Sequence, residues 1–177
     1  MLKKLFFCLC CLILVGCSVN IELSKNVFTI ELGQDVYANP SLYVKNPEEI
    51  NTSELEVMPV SGGIHKKENR FVTSNMDYLV VGEYDFKLIT PNKTFPFKIK
   101  IKDTKPPTFN DNFSVITVPK DEEIDWQAHF SASDLSGVSY DVSPEIDASA
   151  SGSYSVKVKI SDRFGNTAEK EITVKVE

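Results

Sequence analysis

Strict alternation of apolar and polar side chains is the feature that most constrains what this chain can fold into. In "YSVKVKI", Tyr154, Val156, Val158 and Ile160 share one parity, with Ser155, Lys157 and Lys159 on the other. In "EITVKV", Ile172, Val174 and Val176 alternate with Thr173, Lys175 and Glu177. The same rhythm occurs earlier, where Tyr84, Phe86 and Leu88 alternate with Asp85 and Lys87. Phe95, Phe97, Ile99 and Ile101 then alternate with Lys98, Lys100 and Lys102. Successive strand residues point to opposite faces, so a period of two buries one set and wets the other. Each pair of runs predicts an antiparallel hairpin with one solvated face. No stretch sustains a 3.6-residue period. At "NPEEI" the expectation is one turn at most, with Asn46 as cap and Pro47 at the first helical position.

The two halves repeat one pattern. "DYLVVGEYDFKLI" aligns with "DASASGSYSVKVKI" after a one-residue gap, matching Gly82 with Gly152, Tyr84 with Tyr154 and Phe86 with Val156. The halves also begin alike, with "FTIELGQDV" and "VITVPKDEEI". A repeat of about 75 residues with short strands and frequent turns predicts a β-sandwich for each half. Between them lies "DTKPPTF", where Pro106 and Pro107 withhold ladder hydrogen bonds and favour extended backbone. This predicts a short stiff linker and two sandwiches end to end, spanning 24–103 and 104–177. In "IDWQAHF", Ile124, Trp126, Ala128 and Phe130 share a parity, so Trp126 is expected to fill the interior rather than stack on a sugar. Tyr84 and Tyr154, each two residues after a glycine, resemble the tyrosine of sandwich corners, and buried packing is the role expected of them.

Residues 103–177 resemble the bacterial surface immunoglobulin-like domains, which also occur as tails on insecticidal crystal proteins. The marks are the Asp before paired prolines, the "ASD" of 132–134, the Gly-x-Tyr of 152–154 and the Asp-x-x-Gly-Asn of 162–166. Residues 24–102 resemble the family only loosely, because the "ASD" and "GN" marks are missing there. The resemblance implies two tandem immunoglobulin-like antiparallel sandwiches in an all-β protein. It implies a role as surface spacer, adhesive module or accessory domain.

The N-terminus predicts an address. Lys3 and Lys4 precede an unbroken apolar run, Leu5 to Val15, of signal-peptide length and too short to span a bilayer as a helix. It ends in "LVGC", which resembles the bacterial lipoprotein lipobox at all four positions. The resemblance implies a signal peptide over 1–16 and acylation of Cys17, with 17–23 as a tether. Acyl chains bury methylenes at about 0.8 kcal/mol each, and stable attachment takes more than one chain. All four cysteines (Cys8, Cys10, Cys11, Cys17) lie within this segment, so the exported part has neither a disulfide nor a free thiol nucleophile.

Formal charge is −6, and it is uneven: residues 24–103 carry 10 basic and 11 acidic side chains, and residues 104–177 carry 7 and 13. This argues against nucleic acid and against an electrostatic grip on anionic lipid. Enzymatic chemistry has no foothold. His65, in the loop "GGIHKKEN", and His129 fall in different halves, Glu122 and Glu123 are adjacent and diverge, and no phosphate loop, nucleophile elbow or zinc motif is present. No cofactor is expected. In "SDRFGNTAEK", Asp162, Gly165 and Asn166 fit a hairpin turn, with Asp bonding its own backbone and Gly in the left-handed region. No metal is expected there, although Asp103, Asp134 and Asp162 form a weak cation alternative if they converge at one end of the sandwich. The reading is a non-catalytic, lipid-anchored surface protein whose partner is an unidentified surface protein or glycan. The alternative is a ligand-binding module for carbohydrate or a calcium-dependent partner.

Overall fold

The computed structural model describes residues 20–177. In the first half, alternating runs become β1 (Val27–Glu31), β2 (Val36–Tyr37), β3 (Glu56–Pro59), β4 (Ile64–Lys67), β5 (Arg70–Thr73), β6 (Gly82–Ile89) and β7 (Thr94–Lys102). They form a sheet of order β1-β7-β6-β3 and a second of order β2-β5-β4. The second half contributes β8 (Thr108–Phe109), β9 (Val115–Val118), a helical turn α1 (Trp126–His129), β10 (Ala132–Ser133), β11 (Ser139–Ser143), β12 (Gly152–Ser161) and β13 (Thr167–Val176). Its sheets are β11-β12-β13-β9 and the short pair β10-β8. The described residues are therefore almost wholly β, built as two units in each of which a four-stranded sheet is accompanied by a smaller one.

The hairpins predicted from alternation form in register. Asp85 faces Lys98 and Glu83 faces Lys100 across β6 and β7, and Lys157 faces Glu171 across β12 and β13. On the wet face these rows carry ion pairs, Lys98 to Asp85 at 2.7 Å, Lys100 to Glu83, and diagonally Lys157 to Glu169 at 3.2 Å. The opposite parity makes two separate cores. In the first, Phe86 packs edge-on against Phe71 of the facing sheet, with ring centroids 5.0 Å apart, and stacks on Phe97. In the second, Val156, Val158, Ile172 and Val174 meet a wall whose centre is Phe130, stacked between Phe113 and Trp126. The matching segments that open each half, β1 and β9, occupy equivalent places. Each pairs in parallel with the last strand of its sandwich, β1 with β7 and β9 with β13, so neither large sheet is wholly antiparallel.

Four local expectations change. "IDWQAHF" is not a strand: Asp125 Oδ1 accepts from the amides of Gln127 (3.0 Å) and Ala128 (3.4 Å), which caps α1 and turns Ala128 outward. Trp126 is only half-buried, its ring lying flat against Phe130 at 5.7 Å. Asn46 precedes a short 3-10 turn at Pro47–Glu49, but it sits at φ 48° and its side chain caps no backbone amide. The stretch around His65 is not a loop but strand β4, paired with β5 through a turn in which Glu68 adopts φ 56°. The expected tether, as far as it is described, is docked: Ile21 and Leu23 pack on the first core, and Leu23 bridges to Val44.

Candidate metal centre

Three aspartates from separate segments meet beside the junction of the sandwiches. Asp103 follows the end of β7, Asp134 follows β10 and Asp162 follows β12. One carboxylate oxygen of each lies within 4.8 Å of those of the other two. This is the convergence that the sequence could offer only as a weak alternative.

Asp162 performs the turn role expected of it. Its Oδ1 accepts from the amides of Phe164 (2.8 Å) and Asn166 (2.9 Å), and its Oδ2 accepts from Asn166 Nδ2 (2.6 Å). Gly165 sits at φ 89°, as the turn requires. Asp162 is 8% exposed. Burial pushes its carboxyl up, but the hydrogen bonds from the Asn166 side chain and the nearby amides outweigh that and hold it below the usual carboxylate range. Asp134 closes a similar small turn, its Oδ1 accepting from the amide and the hydroxyl of Ser136, both at 2.7 Å.

Asp103 differs from the other two. Its carbonyl accepts from Asn166 Nδ2 at 3.2 Å, so one amide spans Asp103 and Asp162. Its Oδ2 is buried and receives no hydrogen bond. The ion pairs among the described residues all lie elsewhere, so no lysine or arginine neutralises the group. The matching hairpin of the first sandwich closes without charge: Thr90, also 8% exposed, accepts from the Lys93 amide (2.9 Å) and donates to the Lys93 carbonyl (2.8 Å).

The surrounding junction is tied by contacts that the sequence did not signal. Glu31, at the end of β1, accepts from the Thr104 amide and hydroxyl, both at 2.8 Å, and these bonds hold its carboxyl below the usual range. Leu135, next to Asp134, lies over Gly33: a Cβ on Gly33 would fall 2.5 Å from Leu135 Cδ1. Tyr84 and Tyr154 pack on the two cores and make corner bonds, but both are only partly buried, short of the buried packing expected. Tyr84 donates to the Val80 carbonyl at 2.8 Å and Tyr154 to the Ala150 carbonyl at 2.7 Å, each four residues upstream. Each ring covers the glycine two residues before it, at 3.4 Å and 3.7 Å from where a Cβ would stand on Gly82 and Gly152. Cys17, the expected lipidation site, lies outside the described residues.

No family model matches the chain. No curated protein matches it. Among solved structures it is similar to human mucin-like protocadherin EC1-2, at 14% identity and TM-score 0.34, over 89% of this chain and 98% of that one. It is similar to human protocadherin-24 EC1-2 at 12% identity and TM-score 0.33, over 89% and 96%. It is also similar to the fibronectin(III)-like modules of Clostridium thermocellum CbhA, at 13% identity and TM-score 0.30, over 89% and 93%.

Proposed function

We propose that this chain is a non-catalytic, lipid-anchored surface protein in which two sandwiches act as a spacer and an adhesion or interaction module outside the membrane. The observation that carries this reading is the architecture of the described residues. Two independently cored sandwiches follow one another, and the side chains that converge beside their junction are three carboxylates and an amide, two of the carboxylates already engaged in closing turns. The bonds that Asp134 and Asp162 accept are those of loop closure, an arrangement that suits scaffolding. The anchor rests on the four-position lipobox resemblance ending at Cys17. The family likeness of residues 103–177 rests on the motifs quoted above. Half-burial of Trp126 against Phe130 supports packing rather than a sugar platform.

Fractionation of cells expressing Cys17→Ser tests the anchor. The substituted protein is expected to leave the membrane fraction or to accumulate unprocessed. Detergent-phase partitioning identical to that of the wild type would remove the lipid anchor from this reading. A pull-down from the native cell, together with a glycan array run with and without calcium, identifies the class of partner.

A further inference from the structure

We propose that Asp103, Asp134 and Asp162 form a binding site for a hard divalent cation of calcium size, which clamps the linker to two loops of the second sandwich. The convergence brings three carboxylates within 4.8 Å of one another. Calcium is bound by oxygens at about 2.3–2.6 Å, so ligands on opposite sides of it stand about 4.6–5.2 Å apart. The observed spread fits inside that shell. An all-oxygen donor set selects hard cations over zinc or copper.

A further observation points to a ligand. It is Asp103 Oδ2, a buried oxygen with no donor on a side chain that is otherwise only partly buried. Buried charges are normally paired or coordinated to metal, and no ion pair among the described residues reaches this one. Because Asp103 directly follows β7 and the other two belong to the second sandwich, a cation held by all three joins the halves across Thr104–Pro107.

The test uses the full chain in detergent, titrated calorimetrically with CaCl2 and melted in about 1 mM CaCl2 or in chelator. A saturable one-site isotherm is expected, with a melting temperature several degrees higher in calcium, as selective binding to the folded state requires. Asp103→Asn is expected to abolish both effects. In chelator, however, it is expected to melt no lower than wild type, because it removes an unpaired carboxylate that faces two others. Asp134→Asn provides a second variant should Asp103→Asn fold poorly, and Asp141→Asn, on β11, is the control that leaves the isotherm unchanged. Absence of saturable binding to the wild type overturns the proposal. So does a calcium shift that survives both Asp103→Asn and Asp134→Asn, or an Asp103→Asn variant destabilised equally in calcium and in chelator.

Discussion

Tyr154→Ala removes two things at once from the second sandwich. The hydroxyl donates to the Ala150 carbonyl at 2.7 Å, and such a bond contributes about 0.5–1.5 kcal/mol net. The ring packs on the second core and shields Gly152. Emptying an aromatic site costs about 3–5 kcal/mol when the ring is fully buried. Tyr154 is half-buried, so the loss belongs at the lower end, about 3 kcal/mol for hydroxyl and ring together. Tyr154→Phe isolates the hydroxyl and is expected to cost about 1 kcal/mol. For a unit of this size 1 kcal/mol moves the melting point by about 4–8 °C, so Tyr154→Ala should lower it by about 12 °C or more. The assay is Trp126 fluorescence: it is the sole tryptophan and stacks in the second core, so it reports that sandwich and not the other. Tyr84→Ala, its counterpart on the first sandwich, should leave the Trp126 transition nearly unmoved. A shift of only a degree or two for Tyr154→Ala would refute the assignment of the ring to the core.

The depressed carboxyl of Asp162 makes the second sandwich acid-sensitive. A folded pKa below the unfolded value of about 3.9 contributes stability that is present above that pH and lost as pH falls through the folded value. Melting curves between neutral pH and about pH 3 should therefore steepen in the acid limb for wild type and flatten for Asp162→Asn; parallel curves would count against it. Gly165→Val forces a branched residue to φ 89° and should cost about 1–2 kcal/mol, whereas Gly152→Ala, whose Cβ would stand 3.7 Å from the Tyr154 ring, should be nearly neutral by denaturant titration.

The strands with one wet and one dry face were legible because a period of two admits only one burial assignment once a core exists. Phe86, Leu88, Phe97, Ile99, Val156, Val158, Ile172 and Val174 are all buried as their parity requires. The corner tyrosines and the positive φ of Gly165 were legible because each is demanded by local chemistry. "IDWQAHF" misled because four same-parity residues also suit a short turn once Asp125 captures two amides, a competition that alternation does not encode. The junction was the least legible. Glu31 and Thr104 are 73 residues apart, as is their bond, and nothing in either segment announces the other. The meeting of Asp103, Asp134 and Asp162 depends likewise on where three loops end after the sheets have packed.

The parallel pairing of first and last strands has a mechanical consequence. Because β1 runs alongside β7 from Val27–Lys98 to Glu31–Lys102, the chain enters the first sandwich at one pole and leaves at the other. The same holds for β9 and β13 from Val115–Thr173 to Val118–Val176. Tension transmitted along the backbone therefore pulls these neighbours past each other lengthwise. The load falls on the whole row of crosswise bonds together instead of opening them one after another, as it would if the β12–β13 hairpin were pulled apart from its two free strand ends. A protein tethered at one end and tugged at the other would then yield late and abruptly. Single-molecule stretching by the termini should rupture at markedly higher force than stretching through handles on Gly152 and Val176, and equal forces would show that the ladder carries no load.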